Sequence, residues 1–311
     1  MPAPSPHPVS ARRGRPVLAL ALYLLAVFAG GALLAPWLYH GVRALADSVP
    51  ALRGVAEMPF GRYVNRALLL TALLTLPFYL RGAGIRSWSD AGFSPRRFAW
   101  GRFGVGFVIG YASLAAVCGI ALVMGARAFR VDRTPAELAV EFVGALLTAL
   151  VVAVIEELLF RGAVFGGLRR ALPWGVALLA SSALYGIVHF MTRPVSPPAV
   201  GWSTGLEVLP TLLAGMGDVR ALVPGFFSLT LAGVVLGLAY QKTGDLAAPI
   251  GIHAGWIFWL KFYGLLTRSV PGVDPWFWGT RKLTDGWLAF TALVLVLAAV
   301  AAAGRRRPPG V

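Results

Sequence analysis

Apolar stretches long enough to cross a bilayer recur along the whole chain, near residues 17–39, 64–80, 103–125, 138–160, 172–190, 222–240, 246–266 and 286–303. A helix needs about 20 such residues to span the hydrocarbon layer, and a lipid-exposed backbone must satisfy its own hydrogen bonds. The pattern predicts an all-α polytopic membrane protein, a bundle of about eight transmembrane helices with a buried polar site. Charged residues make up only 13% of the 311 positions, against about 25% in soluble domains. That leaves no room for a sizeable soluble domain.

The net charge is +15 and almost all of it is arginine, since lysine occurs only at Lys242, Lys261 and Lys282. The arginines sit in short loops between apolar runs, a distribution that suits anionic lipid headgroups and topology signals rather than nucleic acid. Arg12, Arg13 and Arg15 precede the first apolar run, which is long for a signal peptide, and Leu33-Leu34-Ala35 is a poor cleavage site. The first run therefore reads as an uncleaved span. With the Arg305-Arg306-Arg307 tail, it places both termini in the cytoplasm, although Arg127, Arg130 and Arg133 fall on the other side. The arginine-rich composition points to a bacterial cytoplasmic membrane. Cys118 is the sole cysteine, so an internal disulfide and a cysteine metal cluster are excluded.

Four segments follow from this patterning: a disordered cytoplasmic tail at 1–16, N-terminal transmembrane helices at 17–136, a core at 137–266, and a last transmembrane helix with a basic tail at 267–311. A polar interruption from Thr192 to about Arg220 directly follows His189 and reads either as a lid over a site or as an unstructured connection.

The core carries the chemistry. Glu156 and Glu157 end the uncharged run Phe142–Ile155, and Arg161 follows four residues after the second carboxylate. Residues four apart share a helix face, so Glu157 can pair with Arg161 while Glu156 points about 100° away. Crowded, desolvated carboxylates suit general acid–base work; a helix-end ion pair near the headgroups is the plainer reading. Tyr185 and His189 share a face of a later span, where His189 is either catalytic or interfacial. His253 lies inside another apolar span, where a histidine normally faces a bundle interior or a cavity, or simply bonds a neighbouring carbonyl. Two imidazoles and a carboxylate from three helices could hold a catalytic water or a divalent metal.

Glu156-Glu157-Leu158-Leu159-Phe160-Arg161-Gly162, then Tyr185-x-x-x-His189, then Thr243-Gly244-Asp245-Leu246 with Pro249-Ile250-x-x-His253, form an ordered motif set. It resembles the CPBP family of type II CAAX prenyl proteases and bacteriocin-processing, Abi-type intramembrane peptidases. The resemblance covers the stretch from Glu156 to Trp256 and implies a membrane endopeptidase opening toward the cytosol. By the same likeness, Glu156 and His189 activate water, Glu157 and Arg161 shape the site, and His253 stabilises the oxyanion, with Tyr185 and Trp256 as substrate or oxyanion support. The family has been described both as metal-dependent and as metal-free. No cofactor is favoured here, and zinc is the metal that Glu156, His189 and His253 would suit. Two positions depart from the family pattern. Tyr185 stands where phenylalanine is usual, and Ile257 stands where many members carry an asparagine. The expected partner is a membrane-embedded peptide or lipoprotein substrate, prenylated or leader-type, in a bilayer with anionic headgroups. A catalytically weak scaffold or immunity-type protein is the alternative that Ile257 supports, and a proton-coupled transporter is a third reading of buried carboxylates and histidines.

Overall fold

The computed structural model describes residues 14–130, 132–192, 194–280 and 284–303. Nearly all of the predicted N-terminal tail, and the Arg305–Arg307 cluster, lie outside the described residues; Arg15 already opens the first helix. The chain divides into two units, one holding residues up to Gly84 with Phe190–Gly217, the other Ile85–His189 with the chain from Asp218 on.

In the first unit, α1 (Arg15–Ala46) and α2 (Phe60–Gly82) pack against each other. Small residues let them approach: a methyl group on Gly31 would stand 2.9 Å from the Leu68 Cα. Between lipid-facing helices, where burial from water drives little, such close packing supplies the contact energy. Tyr23 stacks on Tyr79 at 4.9 Å, and Ala35, Phe60, Tyr63, Val64, Ala67 and Val208 form a shared core. The 190–217 segment is ordered within this unit. Its Val200 carbonyl accepts from His40 Nε2 at 3.0 Å, its Ser196 Oγ accepts from the Gly61 amide at 3.0 Å, and the Gly205 backbone lies against the Ala32 carbonyl. An unstructured connection is thereby replaced by a packed one.

The second unit contains α3 (Trp100–Val123), α4 (Pro135–Leu168), α5 (Trp174–His189), α6 (Val219–Thr243), α7 (Ala247–Leu266) and α8 (Trp287–Ala302). A capping box opens α4, with Thr134 accepting from the Glu137 amide and Glu137 accepting from the Thr134 amide. Past Glu157 the helix widens into π-type turns over Leu158–Phe165, a distortion that recurs at functional sites. Helix α7 is buried on almost every side from Ala247 to Trp256, as expected of a helix apolar all round. It lies along α3, which the sequence reading grouped with the N-terminal helices and which here belongs to the second unit.

Each of the eight predicted stretches is helical, but among the described residues only five helices are long and apolar enough to span by length and composition: α1, α2, α3, α4 and the Leu222–Thr243 part of α6. Helices α5 and α8 have 16 residues each, and α7 carries His253 and Lys261 among its 20. The expected count of about eight spans is therefore not reached by this criterion. The all-α reading also missed a two-stranded antiparallel pair, β1 (Arg127–Phe129) with β2 (Thr267–Ser269). It ties the end of α3 to the end of α7 around buried Arg127, whose Nε donates to Thr267 Oγ1 at 2.9 Å.

Candidate active site

Glu156 and Glu157 occupy the last turn of regular α4, immediately before the π-type stretch. Adjacent positions on a helix diverge by about 100°, and the two carboxylates occupy different environments. Glu157 is completely buried at 0% exposure, whereas the Glu156 side chain keeps 26%. One oxygen of Glu157, Oε1, accepts from Arg161 Nη1 at 2.8 Å and from His253 Nδ1 at 2.7 Å. Arg161 is itself buried. Its Nη2 donates to the Gly233 carbonyl of α6 at 3.4 Å, and its guanidinium lies 4.7 Å from the centre of the Tyr185 ring. Removing two charges from water is costly unless they are paired and bonded, and these contacts meet that requirement for Arg161.

His253 is carried into the site by glycines. On α3, Gly106 and Gly110 are four apart, as are Gly251 and Gly255 on α7, and each of the four meets backbone of the other helix. A methyl group on Gly255 would stand 2.7 Å from the Tyr111 nitrogen, and one on Gly106 would stand 3.0 Å from the Ile252 nitrogen. This small-xxx-small pairing on both helices fixes the depth and rotation of α7, and so of His253 between its two glycines. Helix α5 is set against α6 in the same manner, with Gly233 against Ser182 and Gly186 against Thr230.

His189, at the end of α5, donates from Nδ1 to the Tyr185 carbonyl at 2.8 Å. Its side chain remains 29% exposed. In both histidines Nδ1 therefore carries the hydrogen, and in the neutral rings Nε2 presents a lone pair. The two Nε2 atoms lie 3.7 Å (His189) and 3.8 Å (His253) from the same oxygen, Glu156 Oε2. That oxygen is buried and accepts no hydrogen bond within the protein. Tyr185 completes the cluster: its hydroxyl is 3.3 Å from His253 Nε2, and its ring centre is 4.2 Å from that of His189.

Two nitrogens and a carboxylate oxygen are the donor types that zinc takes. Among the described residues, however, no group of three or more histidines, cysteines and acidic residues is disposed to hold a metal ion. The set as arranged does not fit a metal.

Trp256 lies against α3. Its indole N–H donates to Ser113 Oγ on α3 at 2.9 Å, and its ring packs in the core with Leu114, Val235 and Leu293. Ile257 packs toward Ala145, Ala149 and Phe258, on the α4 side of α7. Asn65 lies on α2, in the first unit. The sequence reading did not single out Gly106, Gly110, Gly251, Gly255, Gly233 or Ser113. The four-residue glycine spacings on α3 and α7 were the available signal.

The family model described as type II CAAX prenyl endopeptidase Rce1-like matches residues 138–259. That stretch runs from α4 into α7 and contains Glu156, Glu157, Arg161, Tyr185, His189 and His253. Comparison with curated proteins and with solved structures found no match. Several helices long and apolar enough to span, together with a membrane peptidase family, mark a multi-pass membrane protein. Residues 138–259 are thus similar to the Rce1-like family of type II CAAX prenyl endopeptidases, in line with the ordered glutamate and histidine motifs.

Proposed function

We propose that the second unit is an intramembrane endopeptidase that hydrolyses a peptide bond with a water activated by Glu156 and His189. The observation carrying this reading is the convergence of one unpartnered carboxylate oxygen and two imidazole lone pairs on a common point, with separations of 3.7 and 3.8 Å. Oxygen and nitrogen this far apart leave room for one water to touch both acceptors.

In this mechanism the water donates one hydrogen to Glu156 Oε2 and the other to His189 Nε2. Its oxygen attacks the peptide carbonyl as Glu156 takes the proton. The carbonyl π electrons move to oxygen, giving a tetrahedral oxyanion. Collapse re-forms the carbonyl and breaks the C–N bond, and Glu156 returns its proton to the departing amine. Glu157 and Arg161 do not take part in proton transfer. They hold His253 in place, its Nδ1–H given to Glu157 Oε1 at 2.7 Å.

The substrate in this reading is a peptide segment of a membrane-embedded protein or lipoprotein, prenylated or leader-type. The chain would work in a bacterial cytoplasmic membrane with both termini inside, and its loop arginines would face anionic headgroups. Purified full-length protein in bilayer nanodiscs, assayed on membrane-tethered peptides with and without Glu156→Gln, tests it. Cleavage by the wild type and not by the variant is expected; equal cleavage by both would refute the assignment of Glu156.

A further inference from the structure

We infer that the Tyr185 hydroxyl is a catalytic oxyanion donor, acting on the carbonyl oxygen of the scissile bond. The inference rests on the peptidase reading and adds to it the group that receives the negative charge.

A tetrahedral oxyanion needs hydrogen-bond donors aimed at it, and the preorganised ones contribute most. The donors around this site are largely committed. His253 Nδ1–H is given to Glu157, His189 Nδ1–H to the Tyr185 carbonyl, and Arg161 to Glu157 and the Gly233 carbonyl. The Trp256 N–H is given to Ser113, and position 257 is an apolar isoleucine. Among the described side chains placed against His253 Nε2, Glu156 brings only acceptor oxygens as a carboxylate. Tyr185 brings an O–H.

That O–H is held for the task. Tyr185 is buried in α5, with Phe160 edge-on to its ring at 5.0 Å and the His189 ring at 4.2 Å. The Arg161 guanidinium sits 4.7 Å from the ring centre. A cation over an aromatic face is attracted by the ring's negative face, and here it draws density from the phenol and strengthens its O–H as a donor. The hydroxyl contacts His253 Nε2 at 3.3 Å, beyond the usual range for an O–H donor. Exchanging this long bond for a short, charge-assisted one to an oxyanion is favourable. His253 Nε2 is also the atom from which Glu156 Oε2 lies 3.8 Å, so the hydroxyl borders the space where the water would attack. The proton stays on Tyr185 throughout; the hydroxyl donates a hydrogen bond and transfers nothing.

The test is Tyr185→Phe in the full-length protein in nanodiscs, on a membrane-tethered peptide that the wild type cleaves and Glu156→Gln does not. A phosphinate analogue of that peptide serves as the transition-state mimic. Phenylalanine keeps the ring against Arg161, Phe160 and His189, so the unfolding temperature should not change. Loss of one oxyanion donor is expected to lower kcat about 10²–10³-fold. KM should stay within a factor of about two, and the inhibition constant of the phosphinate should rise with the loss in kcat/KM. A kcat within about threefold of wild type, or a raised KM at unchanged kcat, would overturn the Tyr185 assignment and leave the peptidase reading standing. If the wild type cleaves no membrane-tethered peptide, the peptidase reading fails instead, and the assignment of Tyr185 with it.

Discussion

The Nδ1 nitrogen of His253 lies 2.7 Å from Oε1 of Glu157, and Arg161 reaches the same oxygen at 2.8 Å. One fully buried carboxylate therefore neutralises a guanidinium and sets the tautomer of an imidazole. Glu157→Gln keeps the shape but leaves Arg161 buried without its counter-charge. Breaking such a pair from one side costs about 3–5 kcal/mol. Thermal unfolding in nanodiscs should show a marked loss of stability. Adding Arg161→Gln to the same protein should recover part of it without restoring cleavage, because His253 would still face a neutral amide oxygen in place of the carboxylate. If the single variant unfolds like wild type, the buried pair is not what holds this corner together.

Glu156 makes the opposite prediction. Its Oε2 accepts nothing from the protein, so Glu156→Gln should leave the unfolding temperature unchanged or slightly raised. Removing a general base typically costs about 10²–10⁴-fold in rate. A large stability loss together with the rate loss would mean that Glu156 is structural.

The glycine seam between α3 and α7 should be sensitive to single methyl groups. Gly255→Ala would push against the Tyr111 nitrogen and the Phe107 carbonyl, and Gly110→Ala against the Ile252 carbonyl. Overpacking of this kind costs about 1–3 kcal/mol. It should lower cleavage by shifting His253 from Glu157 and Tyr185. Gly119→Ala on α3, with nothing within 4 Å of the added methyl, is the control and should be neutral in both assays.

Outside the spans, Asp90 accepts the amide hydrogens of Arg86 and Ser87 at 2.9 and 3.0 Å. Foremost the Arg86 amide, and with it Ser87, holds the Asp90 carboxyl below its ordinary value. A depressed folded value favours the closed turn above the unfolded carboxyl range, and the benefit disappears as pH falls through the folded value. Amide exchange at Arg86 and Ser87, corrected for intrinsic rates, should accelerate on acidification and should already be fast at neutral pH in Asp90→Asn. Exchange that is indifferent to both would separate the turn from Asp90.

A metal-free mechanism predicts that a chelator leaves cleavage unchanged once the protein has been dialysed against it. Loss of cleavage restored by added zinc would reassign Glu156, His189 and His253 as metal ligands.

The acidic and basic residues were the legible part of the site. Glu157 and Arg161 announce themselves by a four-residue spacing, and an intramembrane histidine such as His253 is costly enough to imply an inward orientation. That Glu156 Oε2 would meet two Nε2 atoms was an inference from ordered motifs and could not be computed from spacing within one helix. The partner of the Trp256 N–H, Ser113, was not legible, because it is 143 positions away and depends on the register of α3 against α7. The glycines that set that register are visible as pairs, but one helix's pattern does not name its partner. The β1–β2 pair escaped for a different reason. Strands of three residues carry no periodicity to read. The α5 and α8 helices came out short because hydropathy marks an apolar stretch without marking how much of it is helix.

The most direct measurement is mass-spectrometric detection of cleavage products from a membrane-tethered peptide library incubated with purified protein in nanodiscs. Wild-type protein, Glu156→Gln and His189→Gln would be compared side by side. The account predicts discrete products with wild type and none above background with either variant. Products that persist in both variants, or substrate-driven proton movement in liposomes with no cleavage by wild type, would contradict it.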